Sequence, residues 1–204
     1  RKAIADSQGG FAEKVGAHRP AITRYENGDK DVPLWLLGAV DIRPERIHGL
    51  NYDRVIDNPF PLHWSPALAR LIANVIGDGS VFVADDENTV DIRYHNTDRH
   101  LIYRFASDIE TLFGVEPHVS SRQGRKADHA HRYQVQLSAV TGRVLQTIIE
   151  TITNSGLESI PKSLQPIYVG ALFDDEGHID RDRKAFISNT DHQLLEQVGS
   201  ILEN

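Results

Sequence analysis

Cysteine is absent from the 204 residues, and so is methionine. Without cysteine there is no disulfide framework, no thiolate metal cage and no cysteine nucleophile, which fits a reducing, intracellular setting. No apolar run approaches the roughly 20 residues that a membrane span requires, and no basic-then-apolar leader opens the chain. The expectation is a soluble, cytoplasmic protein with no membrane partner. Positive charge is also short, because 22 Lys plus Arg face 29 Asp plus Glu for a net −7. That balance excludes a protein that coats nucleic acid through bulk positive field, so any DNA contact has to come from local patches. What is present, 40% apolar and 25% charged residues, is ample for a globular core in one or two domains.

Period and punctuation divide the chain. Residues 1–50 read as all-helical and carry eight basic and seven acidic side chains, so the acidity lies in the remainder. Residues 51–65 contain Asn58, Pro59 and Pro61 ahead of Pro66, with little helical or strand period, and read as a linker. Beyond Pro66 the pattern is mixed helix and strand. An internal repeat stands out there: His95-Asn96-Thr97-Asp98 and Ser188-Asn189-Thr190-Asp191 each follow a short alternating strand and precede a helical run. Leu101, Ile102, Phe105, Ile109 and Leu112 mark the apolar face of the first such helix. Two similar half-domains follow, 66–165 and 166–204. Val90, Ile92 and Tyr94 alternate with Asp91, Arg93 and His95, as Tyr133, Val135 and Leu137 do with Arg132, Gln134 and Gln136. Each strand thus has one face for a core and one polar face.

From Gln8 to Asn27 the residue order fits a helix, a tight turn and a second, crossing helix. Phe11, Val15, Ala17, Ile22 and Tyr25 fall where two short helices share a core. Gly16 sits where the turn needs a left-handed residue, and Pro20 marks the start of the second helix. The segment QGGFAEKVGAHRPAITRYENG resembles the helix-turn-helix of Cro and repressor-type DNA-binding domains, and continues into Val32, Pro33, Leu34, Leu36 and Leu37 as a following core helix. The resemblance implies that the second helix enters the major groove, with Gln8, His18, Arg19, Thr23 and Arg24 facing DNA.

Residues 66–80, PALARLIANVIGDGS, are helix-forming and end abruptly in Gly77, Asp78 and Gly79. Residues 166–179, PIYVGALFDDEGHI, repeat the design, so that Asp78 and Glu176 each directly precede a glycine at the end of a helix. The stretches LIANVIGDG and VGALFDDEG resemble the two signature helices of LAGLIDADG homing endonucleases in their single-chain form. Ala73 and Gly77 in one helix, and Gly170 and Ala171 in the other, are small residues that let the backbones approach. The resemblance implies an α+β fold of pseudo-symmetric αββαββα half-domains, preceded by the all-α helix-turn-helix domain. It also implies that Asp78 and Glu176 lie together as catalytic residues and ligands for Mg²⁺ or another divalent cation. Phosphodiester hydrolysis develops charge on the attacking water and the leaving oxygen, and hard cations held by carboxylates stabilise both.

The strands following the acids would form a saddle over double-stranded DNA, with Arg93, His95, Arg132, Gln134 and Gln136 on the groove side. Arg122, Arg125 and Lys126 in the hairpin would contact phosphate. This chain departs from the family in three places. The stretch before the second helix reads GLESIP, with Lys162 only after Pro161, where relatives carry a basic residue ahead of an Ile-Pro pair. Asp175 stands where Ala or Gly is usual and adds charge where the helices touch. Only 28 residues follow Glu176, so the second half-domain is expected to be incomplete over this sequence. The leading expectation is a monomeric, sequence-specific DNA endonuclease with internal pseudo-twofold symmetry. The alternative is a transcriptional regulator that uses the same scaffold to bind DNA without cutting it. An intein remnant has neither a splice-junction cysteine nor a terminal His-Asn pair to support it.

Overall fold

A computed structural model describes residues 7–30, 32, 33, 36, 44–48, 55–57, 63–84, 90–122 and 131–203. Contacts divide the chain into two compact units, Arg1–Glu45 and Arg46–Asn204. In the first, helix α1 spans Gln8–Lys14 and starts where the Ser7 hydroxyl accepts the Gly10 N–H at 3.1 Å. Helix α2 spans Arg19–Asn27, one residue earlier than Pro20 implies, because proline fits either of the first helical positions. Gly16 in the intervening turn and Gly28 after α2 have φ of 65° and 75°, conformations that cost glycine nothing. Phe11, Ala12, Ile22 and Leu36 are buried together, with Val15, Ala17 and Tyr25 packed around them. Leu34 and Leu37 of the anticipated next helix lie outside the described residues.

The second unit opens with a feature the sequence pattern hides. Strands β1 (Arg46–His48) and β2 (Val55–Asp57) pair antiparallel, with Ile47 opposite Ile56 and an Arg46–Asp57 ion pair of 2.6 Å. This corrects the reading of residues 1–50 as wholly helical, and sets a strand inside the stretch 51–65. Three-residue strands are too short to leave a legible period. Residues 51–54 and 58–62 lie outside the described residues.

Helix α3 (Pro66–Ile76) begins at Ser65, whose hydroxyl accepts the Leu68 N–H. Then come β3 (Gly79–Val83), β4 (Val90–Asn96), α4 (Arg99–Phe113), β5 (His118–Arg122), β6 (Arg132–Gln136) and α5 (Ala139–Ser155). After a short 3₁₀ turn at Leu157–Ser159 follow α6 (Gln165–Glu176), the hairpin β7 (Gly177–Ile179) and β8 (Ala185–Ile187), and α7 (His192–Glu203). The larger sheet is antiparallel in the order β3-β4-β6-β5, and β7-β8 forms its own pair.

Helices α3 and α6 pack face to face. Leu68, Ala69, Ile72 and Ala73 share one buried cluster with Tyr168, Ala171 and Leu172, joined by Leu194 and Val198 of α7. The small residues do not all serve this contact. A Cβ on Gly77 would lie 3.0 Å from the Cβ of Asp175, so the helices do approach closely there. Gly170, by contrast, is exposed, and a Cβ there would meet nothing within 4 Å; α6 presents Val169, Ala171 and Leu172 instead. Arg70 and Asp108 form a two-toothed ion pair between α3 and α4, with bonds of 2.9 and 2.5 Å. No helix among the described residues is long and apolar enough to cross a membrane.

Candidate active site

Both acids stand where a helix passes directly into a strand. Asp78 lies between α3 and β3, and Glu176 is the last residue of α6 before β7. The glycine after each acid is demanded by contact. A Cβ on Gly79 would fall 2.3 Å from the Val75 carbonyl oxygen, and one on Gly177 would fall 2.4 Å from that of Phe173. In each case the obstructing oxygen belongs to the residue four positions back, so the chain can leave the helix this tightly only through glycine.

The same three hydrogen bonds fix each acid. Asn96 Nδ2 donates to Asp78 Oδ2 at 2.9 Å, and Asn189 Nδ2 donates to Glu176 Oε1 at 3.2 Å. The Oδ1 of each asparagine accepts the N–H two residues on, from Asp98 and from Asp191, at 2.8 Å in both. The backbone N–H ahead of each asparagine, of His95 and of Ser188, reaches the carbonyl of the corresponding acid at 3.4 and 3.2 Å. Each Asn-Thr-Asp therefore has two tasks. Its aspartate caps the following helix, through His100 N–H and Leu194 N–H respectively, and its asparagine steadies a carboxylate. Sequence reasoning found the cap and missed the asparagine, although the repetition of Asn beside Asp was its visible signal.

Asp175 was expected to set an unfavourable charge against the helix contact. It is instead the most fully bonded carboxylate of the site. Tyr94 Oη donates to Oδ1 at 2.6 Å and Asn74 Nδ2 to Oδ2 at 2.7 Å, with Asn96 Nδ2 a further 3.3 Å from Oδ1. Burial pushes its carboxyl up to about 6, against the pull of the bonds from Tyr94 and Asn74 and with the help of the charges on Asp78 and Asp174. Burial also raises the Asp78 carboxyl, opposed by the charges of Arg132 and His95. Glu176 is raised by burial and then by the charge of Asp78, offset in part by its bond from Asn189. The charge of Asp78 thus acts on Glu176, 98 residues away in sequence, and the charges of Arg132 and His95 act on Asp78.

The sheet register gathers the anticipated groove-side residues. Arg93 is opposite Gln136, and His95 opposite Gln134, so with Arg132 all five lie on one face of the β3-β4-β6-β5 sheet. Asp91 shares that face by alternation along β4, and Ser80, Phe82, His118 and Ser120 join it through their pairings; none of them was singled out by sequence as a DNA contact. Arg122 is opposite Arg132 in the register, while Arg125 and Lys126 lie outside the described residues. In the first unit, His18, Arg19 and Arg24 are exposed. Gln8 and Thr23 are bonded to each other at 3.3 Å, and Gln8 Nε2 also donates to Glu26 at 2.7 Å.

Among the described residues no group of three or more metal-binding side chains forms a closed cage. Asp78 and Glu176 nonetheless fit a hard divalent cation. Both offer oxygen donors, and the burial that raises each carboxyl, with the charge of Asp78 on Glu176, is what such a cation relieves.

No family model matches the chain, and no curated protein matches it. Its structure is similar to those of mesophilic variants of the homing endonuclease I-DmoI, with 22% identity, coverage of 68% of this chain and 72% of that chain, and a TM-score of 0.50. It is likewise similar to a crystal structure of an I-DmoI variant in complex with its target DNA and in the presence of manganese. There the identity is 20%, the coverage 68% of this chain and 75% of that chain, and the TM-score 0.50. At this identity the likeness shows a shared fold of antiparallel sheets and packed helices.

Proposed function

We propose that this chain binds double-stranded DNA at a specific sequence and hydrolyses it as a metal-dependent endonuclease of the LAGLIDADG type. In this reading 66–165 and 166–204 are pseudo-symmetric half-domains, and the helix pair in residues 1–50 is a helix-turn-helix that extends the recognised site. A chain with its own internal pair of half-domains works as a monomer. The observation that carries the reading is that Asp78 and Glu176 stand at the ends of two packed helices, each ahead of a glycine and each held by the asparagine of a repeated Asn-Thr-Asp.

Asp78 and Glu176 would hold the divalent cation, Mg²⁺ or Mn²⁺, which when bound supplies positive charge to the leaving oxygen. Asn96 and Asn189 keep the two carboxylates aimed by taking one oxygen of each. Arg132 and His95 bring positive charge to the Asp78 side, where a scissile phosphate needs it. The polar sheet face supplies hydrogen-bonding groups at groove spacing, with Arg93, Gln134 and Gln136 for base edges and Arg122, Arg125 and Lys126 for phosphates. Likeness to an endonuclease solved on its target DNA supports the same partner here.

A second reading, a regulator that binds without cutting, is favoured by the position of Lys162. It precedes a helix of 12 residues whose far end is Glu176, which sets it about 18 Å along the axis from that acid. The test is to incubate the protein with a randomised duplex library and Mg²⁺ and to sequence new ends. Ends that appear with the wild type and vanish with EDTA, with Asp78→Asn and with Glu176→Gln establish the nuclease. Selected binding without new ends establishes the regulator.

A further inference from the structure

A carboxylate on a surface that faces DNA repels phosphate, so Asp91 is out of place on the polar side of the sheet unless it serves a neighbour. Asp91 and Arg93 are two residues apart on β4 and therefore share that face. Arg93 Nε donates to Asp91 Oδ1 at 3.0 Å, and Arg93 Nη2 donates to Asp91 Oδ2. From the adjoining strand, Gln136 Nε2 adds a bond of 3.2 Å to Asp91 Oδ1. The pair is open to an incoming ligand, with the Arg93 side chain 39% and the Asp91 side chain 24% exposed.

A guanidinium has five N–H donors in a plane. Asp91 engages the edge formed by Nε and one Nη2 hydrogen. The end of the fork, with one Nη1 hydrogen and the second Nη2 hydrogen parallel to each other, makes no bond to another of the described residues. Two parallel donors match the O6 and N7 acceptors that guanine presents in the major groove. An arginine held along its side loses less rotamer freedom on binding, and it is restrained from turning aside to a phosphate.

We infer that Asp91 is a positioning residue that fixes Arg93, beside Gln136, as the reader of a single guanine in the DNA target. This rests on the DNA-binding reading above and goes beyond it in naming a base and the residue that enforces it. Arg93 supplies the donors, and Asp91 supplies the direction.

The test selects sites from a randomised duplex library with the full chain at fixed salt, for the wild type, Asp91→Ala, Asp91→Asn and Arg93→Ala. The wild-type site should contain one guanine whose replacement weakens binding roughly tenfold. That preference should fall below about twofold in Asp91→Ala and Arg93→Ala at the same position, and partly return in Asp91→Asn, which keeps one acceptor. Preferences elsewhere in the site should persist. Since Asp91→Ala removes a negative charge, a purely electrostatic role predicts tighter binding to every sequence with the guanine still preferred, and that outcome overturns the inference. A guanine preference that disappears with Arg93→Ala alone overturns the part assigned to Asp91. If the wild type enriches no sequence at all, the DNA-binding reading falls, and this inference falls with it.

Discussion

Tyr94 donates its phenolic hydrogen to Asp175 across 2.6 Å, tying the middle of the larger sheet to the last turn of α6. The ring is fully buried and stacks on Phe105 with centroids 4.6 Å apart. Tyr94→Phe keeps that stacking and removes one of three donors to a largely enclosed carboxylate. The expected cost is about 1–3 kcal/mol, the range for leaving a buried polar group short of a partner. Urea unfolding of the variant measures it, and a change within about 0.5 kcal/mol would show that the hydroxyl is dispensable.

The glycines separate into two kinds. Gly79→Ala and Gly177→Ala drive a methyl to within 2.3 and 2.4 Å of a backbone oxygen, which has to move, and the neighbouring acid with it. Each should lose about 1–3 kcal/mol or more and impair any function that requires Asp78 or Glu176. Gly170→Ala lies in a helix with open space around the new methyl. It should gain about 0.5–1 kcal/mol from the reduced backbone entropy of the unfolded chain. Thermal unfolding of the three variants should therefore give two decreases and one increase.

The asparagines offer a cleaner separation of binding from chemistry than the acids do. Asn96→Ala and Asn189→Ala remove the amide beside Asp78 or Glu176 and leave Asp98 and Asp191 to cap the helices that follow. Groups that orient metal ligands are typically worth 10- to 100-fold in activity. On the proposed nuclease reading, each variant should cut DNA roughly 10- to 100-fold more slowly, with a dissociation constant for the target within about twofold of the wild type. Equal losses in binding and cutting would instead assign the asparagines to the fold.

What was legible in sequence was whatever repeats or alternates. The matching places of Asp78 and Glu176 were visible because each ends an apolar helix and precedes a glycine. The common face of Arg93, His95, Arg132, Gln134 and Gln136 was visible because strand alternation fixes sides before pairing is known. The register was not, and with it went Ser80 and Phe82, which join that face only through the β3-β4 pairing. Asp175 was misjudged for a related reason. Its partners Tyr94, Asn74 and Asn96 are distant in sequence, so no local pattern announces that the charge is served. Gly170 failed in the opposite direction, since a small residue in a signature helix marks a close contact only if it is on the contacting side. Strands β1 and β2 escaped because three residues carry no period.

Arg19 and Arg24 on α2 are exposed, whereas Gln8 is already bonded to Glu26 and Thr23. The five residues assigned to DNA in this unit are thus unequal, and salt titration distinguishes them. A cation that neutralises a phosphate releases a counterion, so losing one such contact reduces the slope of log K against log salt by about 0.9. Arg19→Ala and Arg24→Ala should each produce that reduction in the full chain, with weaker binding to all sequences alike if the contact is to phosphate. If one of them contacts a base instead, its substitution should relax preference at a single position. Gln8→Ala removes no charge and should leave the slope unchanged, while loosening the link between α1 and α2 by about 0.5–1.5 kcal/mol. Slopes identical to the wild type for both arginine variants would mean that α2 does not meet DNA, and the recognised site would then be only as long as the sheet can cover.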